Sequence, residues 1–437
     1  MILTAAQAER RLLILTTTRW LPVGLTFGLT LLLPLERGIT LVQLGVLLSV
    51  QGFVVLGLEL PTGGLADSIG RRPLLVASGV LAVLSTVLFV VADMFWMFAI
   101  AMVLQGVFRA LDSGPLEAWY VDTAQASDPH VPIDRALSRA ATVLGGAIAV
   151  GALLGGALVA WHPIAAVSAL VPPFVMAAVL SAGHTLLTAL LVRESGATDT
   201  GKPNGDASDS RRAAARIEVI LHAARGTVGR AVRGAPAAVV EGVRVVGGSR
   251  VLRALVLVEV FWSIAMIAFE TLTPIRLAEL VGGEDAAGAL FGPMSAVAWA
   301  VFAAGSAVAG FASRWIGVAW TAIVARVLNG AFVVLMGVAA GLPGLVAGYW
   351  LAYATHGAAG PMHSTLLHRQ AVAANRATVL SVNSMVAGGA YSLGLLALTP
   401  LAEATTPATA MIAAGTFSIL GALLYLPALR AERHTSY

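Results

Sequence analysis

Apolar runs long enough to cross a lipid bilayer follow one another along the whole sequence. A transmembrane helix needs about 20 mostly apolar residues, and we count twelve such runs, six on each side of a polar central segment. They cover residues 12–34, 40–61, 73–92, 95–120, 138–160, 165–192, 252–279, 287–312, 317–341, 344–367, 377–400 and 408–429. The sequence therefore predicts an all-α membrane protein with twelve transmembrane helices.

The composition excludes the soluble classes of protein. Only 11% of the 437 residues are charged, against about 25% in a soluble domain, which leaves too little polar surface to cover a soluble core. The net charge of +4 does not indicate nucleic acid, because the basic residues stand in short connections between apolar runs. Cysteine is absent and the histidines lack a metal-binding spacing, so we expect no metal and no cofactor.

The arginines predict the orientation of the chain in the membrane. With the N-terminus in the cytoplasm, the short cytoplasmic segments carry eleven arginines and the outer loops carry two, Arg37 and Arg276. This distribution follows the positive-inside rule. Residues 1–11 are too short and too polar for a cleavable signal peptide. We therefore expect a monomeric protein of the cell membrane with both termini in the cytoplasm.

The two halves of the chain repeat each other weakly. At a shared offset of 247 residues, the pairs are Gly45 with Gly292, Gly63 with Gly310, Gly70 with Gly317, and Asp122 with Arg369. We expect a six-helix bundle at 1–192, a cytoplasmic linker at 193–250 and a second, pseudo-symmetric six-helix bundle at 251–437. Within the linker, residues 211–233 fit either an amphipathic helix on the inner leaflet or a solvated basic connector.

A motif of thirteen residues stands between the second and third runs. It reads Gly63-Gly64-Leu65-Ala66-Asp67-Ser68-Ile69-Gly70-Arg71-Arg72-Pro73-Leu74-Leu75. It closely resembles the G-x-L-a-D-r-x-G-r-r-x-x-l signature of the major facilitator superfamily, with Ser68 in place of the usual basic residue. The resemblance implies that superfamily's fold, two six-helix bundles around a central cavity, and transport by alternating access.

The resemblance also implies a cytoplasmic gate, formed by Gly63, Asp67, Gly70, Arg71, Arg72 and Asp122. Asp67 would hold the first half against the eleventh span, and Arg71 would pair with Asp122 at the end of the fourth. The alternative is that these charges only fix the topology. An acid at position 67 adds nothing to a positive-inside signal, which favours the gate.

The fifth run carries part of a pattern found in drug/proton antiporters. Ala147, Gly151, Ala152, Gly155 and Gly156 occupy the places of g-x-x-x-G-P-x-x-G-G, with alanine instead of proline at 152. The same small residues also suit close packing of membrane helices. Both interpretations stay open at this point.

Ionisable residues inside the runs are the candidate transport residues, because each costs about 2.5–3.5 kcal/mol at the bilayer centre. Glu270, Asp112 and Glu59 are the candidates for proton coupling, in that order. Arg109 stands three residues before Asp112, a spacing that allows an ion pair within one helix. In the superfamily the first, fourth, seventh and tenth spans line the cavity, which implies as cavity residues Arg19, Gln105, Arg109, Trp262, Met266, Tyr353 and His356.

These features predict a secondary active transporter that is not an enzyme. A proton-coupled exporter of small amphipathic compounds, driven by the proton gradient, fits best. A proton-coupled importer of a nutrient or metabolite is the alternative, and a non-transporting membrane sensor is less favoured because it would not need buried charges. A primary pump is disfavoured because the sequence has no G-x-x-x-x-G-K-[ST] phosphate-binding loop. The expected partners are the lipid bilayer, protons and a small-molecule substrate.

Overall fold

The computed structural model of the protein describes residues 3–193, 240–372 and 375–435, with the side chains of 60–68, 377 and 434–435 left out of the description. Most of the predicted linker lies outside these ranges, including the segment 211–233. The described ranges contain helices, turns and loops, and no β-strand.

The helices follow the twelve predicted runs closely. The first half contains α1 (Ala5–Leu25), α2 (Leu29–Glu36), α3 (Leu41–Ile69), α4 (Arg71–Val91), α5 (Phe95–Asp112), α6 (Pro115–Ser127), α7 (Ile133–Trp161) and α8 (Val171–Leu191). The second half contains α9 (240–248), α10 (Arg250–Ile267), a π-helical turn (Ala268–Leu272), α11 (Thr273–Val281), α12 (Glu284–Ile316), α13 (Val318–Val338), α14 (Leu342–Gln370), α15 (Arg376–Ala404), α16 (Pro407–Gly421), a 3-10 turn (Ala422–Tyr425) and α17 (Leu426–Thr435).

The predicted fold class is confirmed. Eleven segments in the described part of the chain are long and apolar enough to cross a bilayer. The remaining predicted run corresponds to α14, which is long enough at 29 residues. Its polar residues, among them His356 and His363, lower its mean hydropathy. The protein is therefore an integral membrane protein built from two sets of six membrane segments.

Two of the spans are broken where the sequence predicts continuous helices. Gly28, with φ of 78°, separates α1 from α2, and Gly114, with φ of 92°, separates α5 from α6. Glycine adopts this left-handed conformation without the steric cost of a Cβ. At position 28 a Cβ would also lie 2.2 Å from the ring of Phe291. The break after α5 matters for the site, because it ends that helix at Asp112.

The two ends of the membrane domain differ. We call the end where Gly70 joins α3 to α4 the motif end, and the opposite end, where residues 38–40 join α2 to α3, the far end. The N-terminal turn of α1 lies at the motif end, because the backbone N–H of Ala5 donates to the Ser127 hydroxyl at the end of α6 (3.0 Å). α17 also lies there, since its Glu432 accepts from the first residues of α13.

One hydrophobic core is shared by both halves at the far end, whereas the motif end has two separate cores. The shared core joins Leu44 and Phe174 of the first half to Phe291 and Tyr349 of the second. At the motif end, Leu12, Trp119 and their neighbours form a core within the first half, and a third core is confined to the second half. Among the described side chains, the halves thus share a core at the far end and have separate cores at the motif end.

Close backbone approaches account for the tight packing at the far end. A Cβ on Gly292 of α12 would lie 2.2 Å from the Ala152 carbonyl of α7. Between α3 and α15, the Ser49 hydroxyl donates to the Ser392 carbonyl (2.7 Å). Toward the motif end of α12, a Cβ on Gly310 would meet no atom of the described residues within 4 Å. Among the described residues, small side chains therefore allow the two halves to pack closely at the far end.

Candidate functional site

A cavity of about 460 Å³ lies between the two halves. Its wall is formed by the break between α1 and α2, by α3 and α5 of the first half, and by the π-helical turn and α15 of the second. Part of the wall is apolar, from Phe27, Leu31, Leu48, Val55, Leu56 and Met266. The remainder carries hydroxyl, amide and charged groups, from Thr30, Gln51, Glu59, Arg109, Glu270, Thr271, Ser384, Tyr391 and Ser392. Such a mixed wall suits an amphipathic molecule.

Glu270 reaches the cavity from a local defect in the seventh span. The turn Ala268–Leu272 is π-helical, with one extra residue in the turn, and such turns often mark functional sites. Pro274 explains the defect, because it cannot donate an N–H to the carbonyl of Glu270 four residues earlier. The Thr273 hydroxyl instead donates to the Ala268 carbonyl (3.2 Å). The sequence indicated Glu270 as a candidate but not this turn.

Arg109 lines the same cavity from the opposite half. Arg109 and Glu270 are close enough to interact electrostatically, but they form no ion pair within 4 Å in the described part of the chain. Both side chains retain accessible surface, and that surface faces the cavity. Two opposite charges thus face each other across a space large enough for solvent or substrate.

The predicted ion pair between Arg109 and Asp112 is not formed, and this interpretation is wrong. Asp112 instead accepts from Arg19 of α1 at 2.7 Å. Asp112 is the last residue of α5, and its carboxylate is engaged by a residue of another helix instead of by Arg109 one turn earlier. The Arg19 guanidinium also lies 4.2 Å from the centre of the Phe108 ring.

A second cavity, of about 340 Å³, adjoins this ion pair within the first half. Arg19, Arg109, Asp112 and His184 all contribute to its wall, so Arg109 faces both cavities. His184 is held by the Thr18 hydroxyl at 2.9 Å from its Nδ1. The buried charges of the first half are therefore gathered inside the protein rather than directed at lipid.

The other predicted cavity residues divide into two groups. Gln105 lines a narrow space between α1, α4, α5 and α8, inside the first half. Of these other predicted residues in the second half, only Met266 lines the central cavity. Trp262 stacks on His356, with ring centres 4.9 Å apart, and Tyr353 packs edge-on against Phe269. These three residues form an aromatic cluster beside the π-helical turn, and are not in the wall of the central cavity.

The structure describes the side chains of only part of the signature motif at 63–75. Gly70 joins α3 to α4 with φ of 90°. Arg71 contacts the Asp122 carboxylate, as predicted, and donates to the Ala118 carbonyl (2.9 Å). Arg72 donates to the Ala189 carbonyl at the end of α8 (2.7 Å). Gly63 and Asp67 belong to α3, and their surroundings lie outside the described side chains.

An analogous contact occurs in the second half with the charges exchanged. Arg369, the counterpart of Asp122 in the repeat, pairs with Glu432 of α17 at 2.5 Å. The same carboxylate accepts from the backbone N–H groups of Val318 (3.2 Å) and Ala319 (3.0 Å) at the start of α13. A negative side chain is favourable at a helix N-terminus. No sequence pattern indicated the role of Glu432.

The small residues of the fifth span pack against two helices. A Cβ on Gly151 would lie 2.4 Å from the Leu21 carbonyl of α1, and one on Gly155 would lie 2.2 Å from the Leu25 carbonyl. Gly156 faces α12 in the same way. These contacts support the packing interpretation of the pattern. None of the five residues of the pattern lines the central cavity.

Comparison with known proteins shows which family and which solved structures this architecture resembles. A family model described as Major Facilitator Superfamily matches residues 12–328. The nucleoside transporter NupG, as a mutant crystal structure, aligns with a TM-score of 0.74 at 11% identity over 96% of this chain and 99% of its own. A POT family transporter in complex with a thioalcohol-conjugated peptide aligns with a TM-score of 0.66 at 16% identity, covering 95% of each chain. No curated protein matches the sequence significantly.

Proposed function

Because this chain belongs to the major facilitator superfamily, a family of membrane transporters, we propose that it is a proton-coupled secondary transporter that exports small amphipathic compounds. The observation that carries the proposal is the central cavity, where Glu270 of one half faces Arg109 of the other. Two charges that belong to different halves change their separation and solvation whenever the halves rock.

The coupling mechanism follows from these two charges. Glu270 binds a proton when the cavity opens to the acidic side of the membrane, because a neutral carboxyl needs no nearby cation. It releases the proton on the other side when Arg109 approaches, since a nearby positive charge favours the carboxylate. Asp112 and Glu59 serve as structural partners, the former through Arg19.

The state described here is inward-facing in this proposal. The arginine distribution places the motif end in the cytoplasm, and the halves are packed together at the far end. The pair of Arg71 and Asp122 then belongs to a gate that rearranges when the motif end closes. Export is supported by the apolar part of the cavity wall, because apolar side chains suit compounds that partition into lipid.

Proteoliposomes that enclose a pH-sensitive dye test the transport function. We expect at least one compound from a panel of amphipathic cations, nucleosides and dipeptides to change the lumen pH. Glu270→Gln should abolish that change. Glu241→Gln, the same substitution at an exposed residue of α9, should leave it intact. Proton movement that is absent with every compound would refute the proposal.

The same vesicles distinguish export from import. With the compound at equal concentration on both sides and the outside made acidic, antiport depletes the lumen of the compound, whereas symport fills it. The importer is kept as the second candidate because the two fold neighbours named above are a nucleoside transporter and a POT family transporter. This assay does not depend on the orientation of the protein in the vesicle.

A further inference from the structure

A chain of polar side chains is buried in the second half, away from the wall of the central cavity. Glu259, Arg326 and His363 are 4%, 2% and 3% exposed, and they come from α10, α13 and α14. Asn383 of α15 and Tyr425 of the 3-10 turn complete the chain. Charged groups this deep in a membrane segment are costly, and the transport mechanism proposed above does not use them.

The hydrogen bonds of this network favour one protonation state of His363. His363 Nε2 lies 2.9 Å from a Glu259 carboxylate oxygen, and His363 Nδ1 lies 2.9 Å from the Tyr425 hydroxyl. The Arg326 Nε–H donates to that same hydroxyl (3.4 Å). A neutral His363 that carries its proton on Nε2 satisfies these contacts: Nε2–H donates to Glu259 and to the Asn383 Oδ1 (3.3 Å), and Nδ1 accepts from Tyr425.

A doubly protonated His363 would fit the network less well. Its Nδ1–H and the Arg326 Nε–H would both donate to the Tyr425 oxygen, the phenol O–H would lose His363 as its acceptor, and the imidazolium would lie near the guanidinium. The network as built therefore contains one carboxylate and one guanidinium, joined through a neutral imidazole and a phenol. Within this network an additional proton has one open acceptor, the second carboxylate oxygen of Glu259, which is buried without a hydrogen-bond partner among the described residues.

We propose that Glu259 is a second proton-binding group of this transporter, separate from Glu270, with His363 as the positioning residue that holds its carboxylate. The proton comes from water and forms an O–H bond on the free oxygen of Glu259, so that the carboxylate becomes a neutral acid. The contact from His363 Nε2–H to the other oxygen remains. This inference rests on the proposed proton coupling.

The groups around Glu259 set the conditions for this step. His363 and His356 face it from α14, Arg326 from α13, Asn383 from α15 and Tyr425 from the 3-10 turn. α16 contributes no titratable side chain, and the charged residues of α17 belong to the motif end. Arg326 also lies 4.5 Å from the centre of the Trp262 ring, which stacks on His356. The aromatic cluster therefore connects this network to the π-helical turn that carries Glu270.

Infrared difference spectroscopy between alkaline and acidic pH tests the inference on the full-length protein in lipid nanodiscs without substrate. Protonation of a buried glutamate produces a carboxylic C=O band. We expect Glu259→Gln to lose one such band, Glu259→Asp to shift it, and Glu241→Gln to retain it. A band that is unchanged in both Glu259 variants would overturn the proposal.

Two further variants separate this site from the others. Glu270→Gln should keep the Glu259 band, so this result stands whether or not Glu270 couples transport. His363→Phe removes the donor that favours the carboxylate, and the Glu259 band should then appear about one pH unit higher. A merely structural role for His363 would lower thermal stability and leave the midpoint of the band unchanged.

Discussion

Arg19 and Asp112 form an ion pair of 2.7 Å between the first and fourth spans. This pair determines what the neighbouring Arg109 faces. Because Asp112 is engaged by Arg19, the guanidinium of Arg109 has no partner in its own helix and lies in the wall of the central cavity. A pair inside one half thus leaves a positive charge available to the other half.

Loss of one partner of this pair should destabilise the protein strongly. Asp112→Asn leaves Arg19 without its counter-charge in a largely buried position, which costs about 3 kcal/mol. Arg19→Gln should cost a similar amount. The double variant should recover much of the loss, because no charge then remains unpaired. Thermal unfolding in detergent measures all three, and a double variant as unstable as the sum of the single variants would contradict the pairing.

Arg109→Gln should change the pH dependence of transport more than the stability of the protein. Without the facing cation, protonated Glu270 persists to higher pH. The pH of half-maximal transport should therefore move about one unit upward, measured as the initial change of lumen pH in proteoliposomes. Arg109→Lys keeps the charge and should keep the wild-type profile. An unchanged profile in Arg109→Gln would separate Arg109 from the coupling step.

The sequence predicted the fold well, because the length of an apolar run is a local property of the chain. It could not predict how the charges pair. Asp112 pairs with Arg19, 93 residues earlier in the chain, and no local sequence pattern relates these two residues. The network of Glu259 and His363 draws one residue from each of five segments, and helical spacing relates only residues of one helix.

The internal repeat predicts where charged residues lie better than it predicts the sign of their charge. Asp122 and Arg369 occupy equivalent places, yet the second half restores an ion pair by using Glu432 from a helix beyond the repeat. Glu432→Ala should lower stability by about 1 kcal/mol, because it removes a helix cap as well as a surface ion pair. Arg369→Ala removes only the pair and should cost less. Equal losses in thermal unfolding would show that the cap contributes nothing.

A disulfide should be able to lock the halves in the state described here. The chain has no cysteine, so introduced thiols have no competitors. A Cβ on Gly52 would lie 3.3 Å from the Ser392 Cβ across the halves, close to the separation of about 3.8 Å in disulfides. Gly52→Cys with Ser392→Cys should cross-link on oxidation and stop transport until a reductant is added. Each single variant should be insensitive to oxidant.

Gly292→Leu should open the far end. No side chain fits there while the halves are closed, because a Cβ would lie 2.2 Å from the Ala152 carbonyl and 3.0 Å from the Gly156 Cα. The larger residue should shift the population toward the alternative conformation and lower the yield of the cross-link between positions 52 and 392. Gly310→Leu is the matched control on the same helix, since its Cβ meets no atom of the described residues within 4 Å. If both variants cross-link as well as the parent, α7 and α12 do not control closure of the far end, and the rocking of two halves about that contact fails as a description of this transporter.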